Sequence, residues 1–184
     1  TSDTAWPMHD IVVIGHVLNE LSDSQRTSVI ARAWQATRQL LVIVEPGAPA
    51  FFPIITSARH QLIDAGGSIA APCTHHHACP MPAGQWCHFG QKVARPDVQR
   101  TAKAAELGWE EAKYAFVACQ RAPIHHTGMR LIHDPVRAKG YIDVVGCDKT
   151  GIHTHRIQKR DTQRYAQVRR AHWGSFIDEA KDNS

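Results

Sequence analysis

The 184-residue sequence has no run of eighteen apolar residues and no basic N-terminal segment leading into an apolar one. Neither a membrane span nor a signal peptide is expected, and the expectation is a soluble, intracellular protein. No G-x-G occurs anywhere in the chain. The glycine-rich turn that holds a nucleotide-type cofactor after the first strand of a doubly wound sheet is therefore missing. Internal repeats and low-complexity segments are absent too. Charge of one sign is not dominant: Lys plus Arg number 21 against 17 Asp plus Glu, a net +4 that leans only mildly toward polyanionic partners. This length supports one ordinary domain with a sizeable core and a small appendage. The chain opens at Thr1 without a methionine and enters a buried-type strand within ten residues, as expected of a fragment or a processed chain.

What the sequence does contain is a concentration of thiols. Three of its five cysteines fall in the fifteen residues CTHHHACPMPAGQWC, with five residues between Cys73 and Cys79 and seven between Cys79 and Cys87. Prolines, a glycine and histidines fill the rest, and no apolar periodicity offers a helix face or a strand face to bury. A bound metal would supply the order that packing cannot. Thiolates suit zinc or an iron–sulfur cluster, and both usually take four ligands, so a fourth must come from elsewhere. In a reducing compartment such a cluster of thiols reads as a metal site rather than as disulfides. The common zinc finger or ribbon pairs its ligands with two to four residues between them, and the wider gaps here favour iron–sulfur. His75, His76, His77 and His88 are possible substitute ligands in a zinc site, although solvent-exposed loop histidines are the simpler reading.

Along the chain, IVVIG, closed by Gly15, is a continuous β-branched run expected to form a central parallel strand covered on both faces. Ser22 and Gln25 have capping-box spacing, and Val29, Ile30, Ala33, Trp34 and Thr37 follow at helical period to about Gln39. LLVIVEPG predicts a second strand. Ile54, Ile55, Ala58 and Leu62 make a second helical stripe ended by Gly66-Gly67, and SIAAP a short third strand. This alternation predicts an α/β parallel sheet with right-handed crossovers. Beyond the cysteine loop the expected elements are strands over Trp86 to Ala94 and Lys113 to Arg121, with a helix from Asp97 to Leu107 between them. Strand-like runs MRLIHD, GYIDVVGC and IHTHRIQKR follow, and then a basic helix from about Thr162 to Trp173. The chain divides near Ala122-Pro123, into an α/β domain over 1–122 that includes the cysteine loop 73–87 and a small basic β/α appendage over 123–184.

Five motifs in this order, DIVVIGHVLNEL, LLVIVEPGAP, the cysteine loop running into WCHFGQKV, ELGWEEAKYAFV, and KGYIDVVGC before a basic helix with HWG, resemble the mitochondrial small-ribosomal-subunit methyltransferase-like family and its bacterial relatives. The resemblance covers almost the whole chain. It implies the C-terminal half of a Rossmann-like class I methyltransferase sheet, with a four-iron–four-sulfur cluster held by cysteines. It further implies action on small-subunit ribosomal RNA during assembly, with S-adenosylmethionine as methyl donor in the complete protein. A bacterial cytoplasm and a mitochondrial matrix both fit. Carried over by position, the cluster ligands are Cys73, Cys79, Cys87 and Cys147. That choice suits the residues, since Cys119 lies inside the strand run YAFVACQR and reads as a small buried thiol, whereas Cys147 stands at a strand end beside a turn.

Ligands of an open α/β sheet bind beyond the carboxyl ends of its strands. His16, Asn19 and Glu20 follow the first strand and Glu45, Pro46 and Gly47 the second; the resemblance implies that His16, Asn19 and Glu20 are the candidate catalytic, acceptor-orienting residues, and Gly15, Glu45, Pro46 and Gly47 the candidate cofactor contacts. Helix capping and plain turn formation are the simpler alternatives for Asn19, Glu20 and Pro46-Gly47. The resemblance further implies that the first strand here corresponds to the fourth of the complete fold, so the N-terminal half of the same fold is an expected partner for its edge. Arg156, Lys159, Arg160, Arg164, Arg169 and Arg170, interleaved with Tyr165, His172 and Trp173, form the candidate RNA surface. Two other readings remain open: a non-catalytic iron–sulfur RNA-binding assembly factor, and a zinc-stabilised RNA-binding module.

Overall fold

The computed structural model describes residues 5–94 and 108–178. It is a mixed α/β structure of two sheets, and the helix expected over Asp97 to Leu107 lies outside the described residues. The first sheet is organised around β5 (Trp109–Gln120), which has neighbours on both sides. One side carries β2 (Thr37–Pro46), and the other carries β3 (Ser68–Ala71) and then β4 (Phe89–Ala94), all antiparallel to β5. Beyond β2 lies β1 (His9–Gly15), parallel to it from Ile11↔Leu40 to Gly15↔Val44.

The expected parallel succession is thus interrupted. Strands β1, β2 and β3 share one direction, but β5 is inserted between β2 and β3. Nor is β1 a central strand covered on both faces. It has one neighbour among the described residues, and Ile11 and Val13 are 60% and 63% exposed.

Helices α1 (Asp23–Gln35) and α2 (Phe52–Asp64) pack on one face of this sheet. The capping box forms as the spacing predicts: Ser22 accepts from the Gln25 N–H, and the Gln25 side chain accepts from the Ser22 N–H at 2.9 Å. Proline at the start of α2 costs no hydrogen bond, because the first turn leaves its N–H groups unpaired anyway. Ile30, Ala33 and Trp34 from α1 and Ile54, Ile55, Ala58 and Leu62 from α2 bury against Leu41, Ile43, Ile69, Val117 and Cys119 of the sheet. Gly66, at φ +79°, turns the chain out of α2, and the Gly67 N–H bonds the Leu62 carbonyl at 2.9 Å. A Cβ on Gly67 would meet that carbonyl oxygen at 2.8 Å and Trp34 at 3.1 Å, besides the Cys119 sulfur. Gly67→Ala is expected to destabilise the fold by roughly 1–3 kcal/mol, read as a lower denaturant midpoint at unchanged slope.

The second sheet is antiparallel throughout. Its central strand β8 (Tyr141–Asp148) pairs with β9 (Gly151–Gln158) on one side, and with β6 (Gly128–Leu131) and β7 (Val136–Ala138) on the other, while β10 (Phe176–Asp178) pairs with β6. Neither β7 nor β10 was expected from the pattern. Met129, Leu131, Ile142, Val144 and Ile157 form its core with Val168, Ala171 and Ile177. The basic helix α3 spans Thr162–Val168 and stops short of Trp173. Past Val168 the side chain of Arg137 donates to the carbonyls of Arg169 and Ala171, drawing that stretch away from a helical path. No helix among the described residues is long and apolar enough to cross a membrane.

Candidate metal centre

Between β3 and β4 the chain has turns and bends only, as the lack of periodicity predicts. What fixes it is a set of side-chain contacts from elsewhere. Arg59 of α2 donates from Nη2 to the carbonyls of His75 and His77, at 2.7 and 2.8 Å. The Ile69 N–H donates to His76 Nε2 at 2.9 Å, and Trp86 Nε1 to the Gly47 carbonyl at 2.9 Å. The second sheet reaches the loop as well: Thr74 Oγ1 bonds the Cys147 carbonyl at 3.3 Å, and Arg130 Nε the Pro72 carbonyl at 2.9 Å. Because Trp86 is held by the loop's contact to Gly47, strand β4 starts at Phe89, three residues later than the pattern predicts.

Four thiols converge on one cavity. Cys73, Cys79, Cys87 and Cys147 all line it, together with apolar side chains that include Ile55, Phe89, Phe116, Val117, Ile132 and Ile152. Three of the thiols come from the loop and the fourth from β8 of the second sheet. Burial pushes the thiols of Cys73, Cys87 and Cys147 upward, Cys147 to about 12, and mutual repulsion among the four adds to it. The guanidiniums act the other way, Arg59 on Cys73 and Cys147 and Arg130 on Cys73 and Cys87. A metal taken up here must therefore displace protons from reluctant thiols, so binding strengthens as pH rises. Cys119 does not line the cavity. It is buried in the first sheet's core, where burial raises its thiol to about 11.

The donor set can be tested against the groups that would use it. Four thiolates on one zinc at about 2.3 Å would lie about 3.8 Å from one another. Among the described residues, no three Cys, His, Asp or Glu side chains come together closely enough for a single ion. An apolar cavity lined by four cysteines supplies the four-thiolate donor set that an iron–sulfur cluster takes.

Two of the four loop histidines depart from the solvent-exposed reading. His75 is buried, stacks on His77 with ring centroids 5.9 Å apart, and brings Nε2 to 3.9 Å from the Cys147 sulfur. Burial, then Arg59, then His77 hold its imidazole below the ordinary value, which keeps it neutral at neutral pH. His88 is half-buried between Trp86 and Trp173, at centroid distances of 5.1 and 4.7 Å.

The residues at the strand ends are brought together only in part. His16 has a left-handed backbone, φ 55°, and its N–H bonds the Val44 carbonyl. Asn19 donates to Glu20 Oε1 at 3.0 Å and lines a cleft with Asp23, Arg26, Phe51 and Gln61. Glu45 is fully buried, and its Oε1 accepts from the Leu18 N–H at 2.8 Å, tying the turn after β1 to β2. Gly47 lies so close to β5 that a Cβ would meet the Tyr114 nitrogen at 2.6 Å. Gly15 is exposed at the end of β1, and Pro46 closes β2.

In the basic set, Arg156 is paired with Asp143 through two 2.8 Å bonds and lies over the Tyr141 ring at 4.1 Å. The Arg156 bond holds the Asp143 carboxyl below its ordinary value. Its contribution is fully present above the unfolded carboxylate range and is lost as pH falls through the lower folded value. Lys159, Arg160, Arg169 and Arg170 are exposed, and Arg164 is half-buried on α3.

Arg59 and Arg130 are the site residues that the sequence reading missed. A signal existed for Arg59: it falls in the buried stripe of α2 beside Ile55, Ala58 and Leu62, where a cation demands a reason.

A family model described as mitochondrial small ribosomal subunit Rsm22 matches residues 2–178. The human protein named ribosome assembly protein METTL17, mitochondrial, is 26% identical over 185 residues, which cover 91% of this chain and 39% of the human one. The chain thus spans about two fifths of the length of that curated relative.

Proposed function

Because the chain belongs to the mitochondrial small ribosomal subunit Rsm22 family, we propose that it is part of a methyltransferase-like factor that acts on small-subunit ribosomal RNA in ribosome assembly and carries a 4Fe-4S cluster. The observation that carries this reading is the convergence of Cys73, Cys79, Cys87 and Cys147 on one apolar cavity. The cluster's work is structural: with three ligands on the loop and one on β8, it pins the basic appendage (123–184) at a fixed angle to the α/β domain (1–122). The domain itself is the C-terminal half of a Rossmann-like class I methyltransferase sheet. The N-terminal half of that fold covers the bare edge of β1, where Ile11 and Val13 are exposed. The relative's name supports a mitochondrial location, with a bacterial cytoplasm as the alternative.

In the catalytic form of this reading, S-adenosylmethionine bound by the complete protein supplies the methyl group beside Gly15, Glu45, Pro46 and Gly47. His16, Asn19 and Glu20 orient a flipped or single-stranded nucleotide. The basic surface holds the RNA backbone through phosphate contacts.

Specific observations favour a second reading, a non-catalytic iron–sulfur assembly factor. Glu45 spends one carboxylate oxygen on the Leu18 N–H inside the core, and the Gly47 carbonyl is taken by Trp86, so groups wanted for a cofactor are committed to holding the fold. The zinc module is the weakest of the three, given the wide gaps between the loop cysteines in sequence. The two leading readings part in one assay of the full protein with small-subunit ribosomal RNA and S-adenosylmethionine carrying a labelled methyl group. Label transferred to RNA and lost in Asn19→Ala establishes catalysis. Tight RNA binding without transfer establishes the second reading, and no RNA binding overturns both.

A further inference from the structure

Arg59 is 2% exposed and has no carboxylate partner among the described residues. Its Nη2 is spent on two backbone carbonyls, while Nε and Nη1 complete no hydrogen bond of ordinary geometry. A buried guanidinium left so is costly, and buried charges persist where an opposite charge faces them. What faces Arg59 is the thiol cavity, which it lines beside Cys73. Arg130 approaches from the second sheet, half-buried on β6 and opposite Cys147 in the register of β6 with β8. Its Nε and Nη1 bond the Pro72 and Gly174 carbonyls at 2.9 and 3.0 Å, and its charge acts on Cys73 and Cys87.

We propose that Arg59 and Arg130 are the counter-charges of the group in the four-thiol cavity, positioning residues that neutralise it and set its reduction potential. The proposal rests on the cluster reading above. An oxidised four-iron cluster on four thiolates carries about two negative charges, which the buried Arg59 and the half-buried Arg130 balance, and reduction adds one more. A cation held nearby favours the more negative, reduced form, so its removal moves the potential downward.

The test uses the full protein, purified and loaded with iron and sulfide without oxygen, as wild type, Arg59→Gln, Arg59→Lys and Arg130→Gln. Iron and sulfide are assayed, and the potential is followed by optical and spin-resonance titration. The expected result is a potential shifted to more negative values in Arg59→Gln and Arg130→Gln, with Arg59→Lys near wild type. Glutamine still donates to carbonyls, so a purely structural arginine would leave the potential of a loaded Arg59→Gln unmoved, and that result overturns the proposal. If Arg59→Gln fails to load, the proposal requires that Arg59→Lys load fully and that Arg130→Gln shift downward. Failure of either overturns it. A wild-type protein without iron refutes the cluster reading itself, whereas unmoved potentials in fully loaded variants refute only the role of the arginines.

Discussion

Replacing Cys147 with serine is expected to reduce bound iron from about four atoms per chain to fewer than one, and to bleach the broad visible absorption of the protein. The expectation follows from where the four thiols come from. Cys73, Cys79 and Cys87 share one loop that lacks secondary structure of its own, whereas Cys147 is carried by β8, paired along its length with β9. Removing the one ligand on β8 leaves three thiols on the loop, one short of the four that such a cluster takes. Serine keeps the size and removes the soft donor, so a loss cannot be ascribed to packing. The matched control is Cys119→Ala. That thiol is equally a cysteine of this chain but sits in the core away from the cavity, so the variant should keep its iron. Iron retained in Cys147→Ser and lost in Cys119→Ala would reverse the ligand assignment.

Reversing three charges, Arg160, Arg169 and Arg170 to glutamate, is expected to weaken binding to single-stranded small-subunit ribosomal RNA more than tenfold at physiological salt. It should also flatten the dependence of log K on log salt by about 2 units, because each lost phosphate contact on a single strand removes about 0.7. All three side chains are exposed around α3, so the fold should not suffer. Arg156→Ala is expected to do much less to the salt slope, since its guanidinium is already engaged by Asp143 and stacked on Tyr141. Filter binding across a salt series separates the two variants. Equal slopes in the triple variant and wild type would move the RNA surface elsewhere.

Elements whose cause is local were legible in the sequence. The β-branched runs became β1 and β2, the Ser22–Gln25 capping box formed, and Gly66-Gly67 ended α2, because each depends on residues a few positions apart. Placement across long separations was not legible. Nothing near Trp109 tells that β5 will enter between β2 and β3, since pairing of distant strands is decided by the whole sheet. The same holds for the burial of Glu45 beneath Leu18, which reads in sequence as an acid at a strand end open to ligand. In α3 the charge run was legible but its end was not, because the Arg137 bonds that divert the chain come from β7. Of the candidate metal centre, the loop thiols stood out by their spacing. Arg59 was visible only as a cation in an apolar stripe, and Arg130 not at all.

That the four thiols act as one site is tested most directly by an iron and sulfide assay of the full protein, purified without oxygen. About four irons and four sulfides per chain, with a broad band near the blue edge of the visible spectrum, is the result expected. One zinc per chain in a colourless protein, or no metal at all, would contradict it.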